Sequence, residues 1–168
     1  MNRTQLEHLL RASGGVAAIQ DLIVVGSQSI LGAFPEAPPE LLVSMEADVY
    51  PLHEPEKADL IDGSIGELSP FHETFGYYAH GIGPETAILP NRWKSRLVKV
   101  ANANTGGITG WCLSPADLAV SKLIAGRAKD FQFVRTMLTA GLVPRTAIVD
   151  LLVELPAAVA ATVSARLD

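Results

Sequence analysis

The segment Val43–Tyr50 constrains the fold more than any other part of the sequence, because apolar and polar side chains alternate along it. The odd-numbered positions from 43 to 49 are apolar, and the even-numbered positions include two acids, Glu46 and Asp48. A period of two residues is typical of a β-strand with one face toward a core. The segment therefore predicts a strand on which both acids share the face opposite the apolar one.

A second strand is predicted before it. Asp21–Gly26 is a short apolar run rich in β-branched residues, the pattern of a buried strand. A short helix is expected over Ser27–Ala33, and the three prolines of Phe34–Glu40 predict a loop. Further short strands are predicted at Tyr77–His80, Glu85–Leu89, Leu97–Val100 and Thr109–Leu113.

The C-terminal part of the chain is predicted to be helical. Ser114-Pro115-Ala116-Asp117 has a serine cap, a proline in the first turn and an acid three residues after the cap, so it predicts the start of a helix that Gly126 ends. Other helices are predicted near Leu6–Leu10 (closed by Gly14-Gly15) and at Glu56–Ile61, Phe131–Ala140, Pro144–Leu155 and Ala157–Leu167. The expected fold is α+β, a mixed sheet flanked by helices in one domain, with a sheet core over about 1–113 and a helical tail over about 114–168.

Composition excludes several classes of protein. Hydrophobic residues make up 48% and charged residues 18%, as in an ordered globular protein. The net charge of −5 argues against a surface that wraps DNA. Cys112 is the only cysteine, which excludes an internal disulfide and a cysteine-based zinc cluster. Met1–Gln5 lacks the pattern of a signal peptide, and the apolar stretches are too short to span a bilayer, so we expect a cytoplasmic protein without membrane contact.

The two acids of the alternating strand are the first candidate for chemistry. Because residues two apart on a strand share a face, Glu46 and Asp48 present their carboxylates side by side. Like charges at that separation repel, and a cation is needed to keep both ionised. Mg²⁺ is the natural candidate, since it takes oxygen ligands and shares its shell with substrate phosphates.

The turn after the buried strand is the second candidate. A glycine that ends a strand and enters a helix lets backbone amides approach a phosphate, and the hydroxyls of Ser27 and Ser29 are additional donors. Each feature alone has a second interpretation: Gly26-Ser27 is also typical of a tight turn, and an acid pair on an edge strand is usually solvated. Their combination favours a site for a nucleotide and a metal ion.

Gly26-Ser27 followed by Ser44-x-Glu46-x-Asp48 resembles the signature of the nucleotidyltransferase (DNA polymerase β-like) superfamily. The stretch from Leu113 to Asp130, with Lys122 and a Lys-Asp pair, is similar to the corresponding segments of AbiEii-type nucleotidyltransferases. The AbiEii type includes toxins of bacterial toxin–antitoxin systems. The sequence also resembles small bacterial proteins known only as nucleotidyltransferase-like. The resemblance covers most of the span from Leu22 to Leu138.

The resemblance implies a role for each matching residue. Gly26-Ser27 would hold the triphosphate of an NTP, and Glu46 and Asp48 would bind the Mg²⁺ that bridges those phosphates. Lys122 would neutralise phosphate charge. Asp130 would lie near the metal or act as the base on an acceptor hydroxyl. That hydroxyl would attack the α-phosphate and pyrophosphate would leave.

Two departures from the family pattern leave the function open. Glu46 stands where an aspartate is usual, and Leu97–Ala101 offers no third carboxylate. One hypothesis is a Mg²⁺-dependent enzyme, such as a toxin-like component, that transfers a nucleotide to an RNA (tRNA in particular) or to a protein hydroxyl. The other is a catalytically silent nucleotide-binding or protein-binding module of a toxin–antitoxin-type pair, with a cognate antitoxin or other partner protein. A purely structural domain is the third alternative.

Several single residues also have two interpretations. Lys122 is either a phosphate contact or a solvated lysine, and Asp130 is either part of the site or the N-cap of a helix that begins at Phe131. Arg127 and Lys129 are either phosphate or RNA contacts or surface charges near a helix end. The spacings of the histidines match no metal-ligand pattern, so they are expected to be ordinary polar residues: His53, His72 and His80.

Overall fold

A five-stranded mixed sheet forms the centre of the computed structural model, which describes residues 1–168. In chain order the strands are β1 (Asp21–Val25), β2 (Glu46–Pro51), β3 (Tyr78–Gly81), β4 (Val98–Val100) and β5 (Thr109–Cys112). Their spatial order is β3-β2-β1-β5-β4. The β1–β2 and β4–β5 pairs are antiparallel, and the β1–β5 and β2–β3 pairs are parallel.

Helices flank the sheet, and no strand follows β5. They are α1 (Arg3–Ala17), α2 (Ile30–Ala33), α3 (Ala58–Ile65), α4 (Pro70–Phe75), α5 (Pro115–Ala125), α6 (Ala128–Thr139), α7 (Arg145–Asp150) and α8 (Ala157–Leu167). This arrangement confirms the predicted α+β class with a helical C-terminal part. None of these helices has both the length and the apolar character that crossing a bilayer would require.

The central strand β1 lies at the heart of the core. Leu22, Ile23 and Val24 are completely buried, as the continuous apolar run predicts for a strand covered on both faces. The polar residues that follow β1 are therefore held at the end of a strand buried in the core.

The predicted start of α5 is confirmed. The Ser114 hydroxyl accepts a hydrogen bond from the backbone N–H of Asp117 at 3.1 Å, and Gly126 ends the helix in the left-handed region. The end predicted for the first helix at Gly14-Gly15 is wrong, because α1 continues to Ala17. Gly14 lies inside this helix, where a Cβ would overlap the side chain of Ile108.

The alternating strand begins later than predicted. β2 starts at Glu46, and the side chains of Val43 and Met45 are exposed rather than facing the core. Just before the strand, the Ser44 hydroxyl accepts the N–H of Glu46 at 3.2 Å. Within the strand, the residue between the two acids and the residue directly after them are both buried, so Ala47 and Val49 form its apolar face.

Other predicted boundaries also changed. The strand predicted at Glu85–Leu89 is wrong, because a turn of 3₁₀ helix occupies Pro84–Thr86 and the next residues run over the surface without pairing. The helix predicted at Pro144–Leu155 ends at Asp150 and gives way to a 3₁₀ turn. α4 was not predicted at all, although Ser69 caps it and Pro70 begins it.

Candidate functional site

Gly26 forms the turn at the end of β1, and two independent constraints require a glycine there. Its φ of 67° and ψ of −168° lie in a region that residues with a Cβ rarely adopt. A Cβ at this position would also overlap the Oδ2 atom of Asp48. The space left by the absent side chain is therefore occupied by the Asp48 carboxylate, which lies directly against the turn.

The pairing of β2 with β3 builds an acidic cluster around that carboxylate. The parallel register places Glu46 opposite Tyr78 and Asp48 opposite His80. The Tyr78 hydroxyl donates to Glu46 Oε2 at 2.9 Å, and His80 Nδ1 lies 2.9 Å from Asp48 Oδ1. The ligand-capable atoms of Glu46, Asp48 and His80 all lie within 4.8 Å of one another. This grouping offers two carboxylates and one imidazole to a cation.

Burial and like charge shape the ionisation of this cluster. Burial raises the pKa of Asp48, and the neighbouring Glu46 carboxylate raises it further, while the contact with His80 opposes both. Burial and the hydrogen bond to Glu46 raise the pKa of Tyr78 to about 12, so Tyr78 is a hydroxyl donor at neutral pH. A cation between the carboxylates would favour the charged form of Asp48.

Lys122 is held in a buried polar contact on α5. Only 7% of the residue is exposed, and its Nζ donates to the Ser27 hydroxyl at 2.7 Å and lies 3.2 Å from Asp130 Oδ1. Burial lowers the pKa of Lys122, and the charge of Asp130 opposes that effect. The interpretation of Lys122 as a solvated lysine is therefore wrong: it links α5 to the turn after β1.

Asp130 lies behind Lys122 and is completely buried. It accepts a hydrogen bond from Arg127 Nε at 2.6 Å and one from the Arg127 backbone N–H at 3.2 Å. Burial opposes its ionisation, but the contacts with Arg127 and Lys122 outweigh it and lower the pKa of Asp130. Because α6 begins at Ala128, Asp130 lies inside the first turn, and its assignment as the cap of a helix beginning at Phe131 is wrong.

The two serines of the turn differ in what their hydroxyls contact. Ser27 is partly buried and accepts the hydrogen bond from Lys122. Ser29 is completely buried, and its hydroxyl donates to the Gly26 carbonyl at 2.8 Å. The Ser29 hydroxyl therefore supports the turn and does not face open space.

A cleft of about 540 Å³ lies over the cluster. One part of its wall is polar and includes Gly26, Glu46, Asp48, His80, Ser121, Lys122, Arg127 and Lys129. Another part is apolar and consists of Val25, Ile82, Ala87, Ile88, Ile124 and Ala125. Among the predicted site residues the cleft brings together Gly26, Glu46, Asp48 and Lys122, while Ser27, Ser29 and Asp130 lie outside its lining.

The structure adds His80 to the residues found from the sequence. The spacing of the histidines gave no metal-ligand pattern, because the acidic partner of His80 lies on the neighbouring strand and not nearby in the sequence. The signal available was the predicted strand Tyr77–His80, on which Tyr78 and His80 share a face. Only the parallel register with β2 turns that face toward Glu46 and Asp48.

A family model described as "Nucleotidyltransferase of unknown function (DUF6036)" matches residues 5–153. This range contains every strand of the sheet and every residue of the cleft. The match confirms the nucleotidyltransferase resemblance and does not extend to the AbiEii type. Neither the curated proteins nor the solved structures compared with the chain gave a match.

Proposed function

We propose, from the premise that this chain belongs to the family of nucleotidyltransferases of unknown function (DUF6036), that its cleft binds an NTP with Mg²⁺. It would then transfer the nucleotide to a hydroxyl group. The observation that carries this proposal is the contact of the Asp48 carboxylate with the Gly26 turn, beside Glu46 and in the same cleft as Lys122. A cation site and a phosphate site are thereby adjacent.

The donor set of the cleft fits a divalent cation. Glu46 and Asp48 present carboxylate oxygens, and neither forms an ion pair with a lysine or arginine. We propose that these two residues hold the Mg²⁺. When bound, the ion supplies charge neutralisation for the phosphates and for the transition state of transfer.

The cationic wall of the cleft supports the binding of a triphosphate. Lys122 is oriented by Asp130 and lies beside Ser27, so it presents a positioned ammonium group to a phosphate. Arg127 and Lys129 add charge at the same wall. The apolar wall, with Ile82, offers a surface for the base or ribose. In this proposal Ser27 contributes a hydroxyl, and Ser29 acts only through the shape of the turn.

The transfer would be an in-line displacement. The acceptor oxygen forms a bond to the α-phosphorus, the bond from that phosphorus to the bridging oxygen breaks, and pyrophosphate leaves. The hydroxyl proton passes to water in the open cleft. Asp130 is buried and paired with two cations, so we assign it to positioning Lys122 rather than to the role of base. Catalysis would then rest on positioning and on charge neutralisation.

The acceptor we propose is an RNA, with tRNA as one candidate, or a protein hydroxyl. Arg127 and Lys129 are exposed in the lining of the cleft, and this local positive charge on a chain of net charge −5 supports an anionic acceptor such as RNA. We include in this proposal a toxin-like role, as in AbiEii-type proteins, with a cognate antitoxin as the partner.

A second candidate function is a catalytically silent nucleotide-binding or protein-binding module, such as one half of a toxin–antitoxin-type pair. The observation that favours it is that Glu46 and Asp48 are the only acids in the lining of the cleft. A site with two carboxylates can retain NTP and its cation without supporting transfer.

Incubation with labelled NTPs, Mg²⁺ and total RNA or protein tests the first candidate. We expect incorporation by the wild type, loss of incorporation in Asp48→Asn, and wild-type behaviour in Asp59→Asn, an exposed acid on α3. Binding of NTP with Mg²⁺ but no transfer to any acceptor pool would favour the silent module. Absence of NTP binding would contradict the enzyme and the nucleotide-binding form of the silent module, and would leave only a protein-binding module.

A further inference from the structure

We propose that His80 supplies a third metal ligand beside Glu46 and Asp48, and that the site therefore binds Mn²⁺ more tightly than Mg²⁺. The inference rests on the proposed function only in requiring that the cleft bind a divalent cation. In the proposed site, the imidazole of His80 on the neighbouring strand takes the place of the missing third carboxylate.

The distances within the cluster fit shared coordination. His80 Nδ1 and Asp48 Oδ1 are 2.9 Å apart. Adjacent ligands of an octahedral ion with bonds of about 2.1 Å lie about 3 Å from each other. The Glu46 carboxylate completes a group whose ligand atoms are mutually within 4.8 Å. A small movement of side chains would place all three around one ion.

The charge of the cluster also favours a cation. Two carboxylates lie together, and His80 is the only basic side chain that forms an ion pair with either of them. The histidine ring is half exposed, and an ion pair of that kind contributes little by itself. A divalent ion would balance both carboxylates, which one imidazolium cannot do.

The surroundings hold the two carboxylates in place and leave one nitrogen of His80 without a protein partner. Tyr78 donates to Glu46 Oε2 at 2.9 Å and fixes that carboxylate from the next strand. Gly26 leaves room for the Asp48 carboxylate at the turn. His80 Nε2 has no hydrogen-bond partner in the protein, so the imidazole is free to carry its proton there while Nδ1 faces the ion. The contact between Tyr78 and Glu46 is of the kind that typically supports a metal ligand.

The nitrogen ligand bears on the preference between Mn²⁺ and Mg²⁺. Mg²⁺ favours sites made of oxygen alone, whereas Mn²⁺ accepts carboxylates and lies on the series of ions that also bind imidazole. A set of two carboxylates and one histidine therefore favours Mn²⁺. A carboxylate in place of the imidazole would reduce the preference for Mn²⁺ over Mg²⁺.

Electron paramagnetic resonance of Mn²⁺ tests the proposal without relying on turnover. Titration of the wild type, His80→Gln and His80→Asp gives the affinity, and competition with Mg²⁺ gives the preference between ions. Pulsed measurement of coupling to nitrogen reports a histidine bound to the ion. His53→Gln serves as the matched control, because His53 is exposed and outside the cleft lining.

We expect nitrogen coupling in the wild type and in His53→Gln, and none in His80→Gln. Loss of the ligand should weaken Mn²⁺ binding by about 10-fold or more, at least the effect seen when a supporting contact of a ligand is removed. His80→Asp should retain binding but lower the ratio of Mn²⁺ to Mg²⁺ affinity. Unchanged thermal unfolding of the apo-proteins checks that each variant is folded.

Two results would overturn the inference, and they differ in what they say of the proposed function. Mn²⁺ binding that needs Asp48 but has no nitrogen coupling would leave the cation site standing and reduce His80 to an ion-pair partner. No Mn²⁺ binding by the wild type, with or without NTP, would reject both the His80 ligand and the cation site.

Discussion

The Asp48 carboxylate occupies the space that a side chain at position 26 would need. The glycine of the turn and the acid of the neighbouring strand are therefore one structural unit. Changes at position 26 should affect cation binding even though a glycine has no side chain to offer a ligand.

Gly26→Ala should destabilise the fold by about 1–3 kcal/mol, because alanine is strained at this backbone conformation. It should also displace the Asp48 carboxylate and weaken divalent-cation binding. Urea unfolding and a metal titration measure the two effects. Gly76→Ala shares the positive φ but meets no neighbour, so it should lower stability and leave cation binding unchanged. Equal cation binding in both variants would contradict the proposed contact.

Tyr78→Phe should weaken cation binding by about 10-fold, because it removes the hydroxyl that orients Glu46 while keeping the ring. The measurement is a Mn²⁺ titration. Tyr77→Phe is the control, because the hydroxyl of Tyr77 contacts His8 and not an acid of the cluster. A loss of the same size in both variants would argue against a specific role for Tyr78.

Asp130→Asn should move the pH dependence of NTP binding. Burial lowers the pKa of Lys122, and the charge of Asp130 raises it. Removal of that charge should therefore lower the pKa of Lys122 further. Lys122 would then lose its proton at a lower pH in the variant, and NTP affinity would fall at a correspondingly lower pH. Binding isotherms over a pH series measure this shift. If Asp130 were a base, turnover would fall while NTP affinity kept its wild-type pH dependence.

Arg96→Ala should destabilise the protein by about 3 kcal/mol, because it leaves a buried carboxylate without its ion-pair partner. Arg96 forms a two-point contact with Asp117, which is completely buried at the start of α5, and also contacts Glu154. Urea unfolding measures the change. Arg92→Ala removes a side chain that is 77% exposed, and should cost less than about 1 kcal/mol. Equal losses would contradict the assigned importance of Asp117.

Glu154 should make stability depend on pH in the acid range. Its contacts with Arg96 and Arg92 lower its pKa from 4.5 to about 2. A carboxyl group whose pKa is lowered by folding stabilises the fold at pH values above its pKa in the unfolded state. That contribution is lost as the pH falls to its pKa in the folded state. Glu154→Gln should thus be less stable than the wild type at pH 7, and the gap should narrow between about pH 4.5 and pH 2. Glu56→Gln, at an exposed residue without an ion pair, should not show this convergence.

The sequence allowed the acids of β2 to be paired because strand geometry is local. Two residues apart on a strand share a face whatever the rest of the chain does, so Glu46 and Asp48 were correctly placed together. The burial of β1 and the cap of α5 could be predicted for the same reason. Each depends on side chains within a few residues of each other.

His80 could not be placed because its position depends on how distant segments align. Two helices, α3 and α4, separate β2 from β3, and nothing in their sequence fixes the parallel register of the two strands. The burial of Lys122 was missed for a related reason: its contacts with Ser27 and Asp130 form only when α5 packs over the end of β1. The exposed Val43 and Met45 show the converse, an alternating pattern that extends beyond the strand it predicts.

The parallel pairing of β2 with β3 makes the cluster sensitive to alignment as well as to composition. A slip of one residue would bring Ala79 opposite Asp48 and turn the histidine to the other face of the sheet. A chain with every residue of the site intact could therefore lose the cluster through an insertion or deletion before β3. In comparisons among related chains, the length of the β2–β3 connection should be considered alongside the identity of the acids.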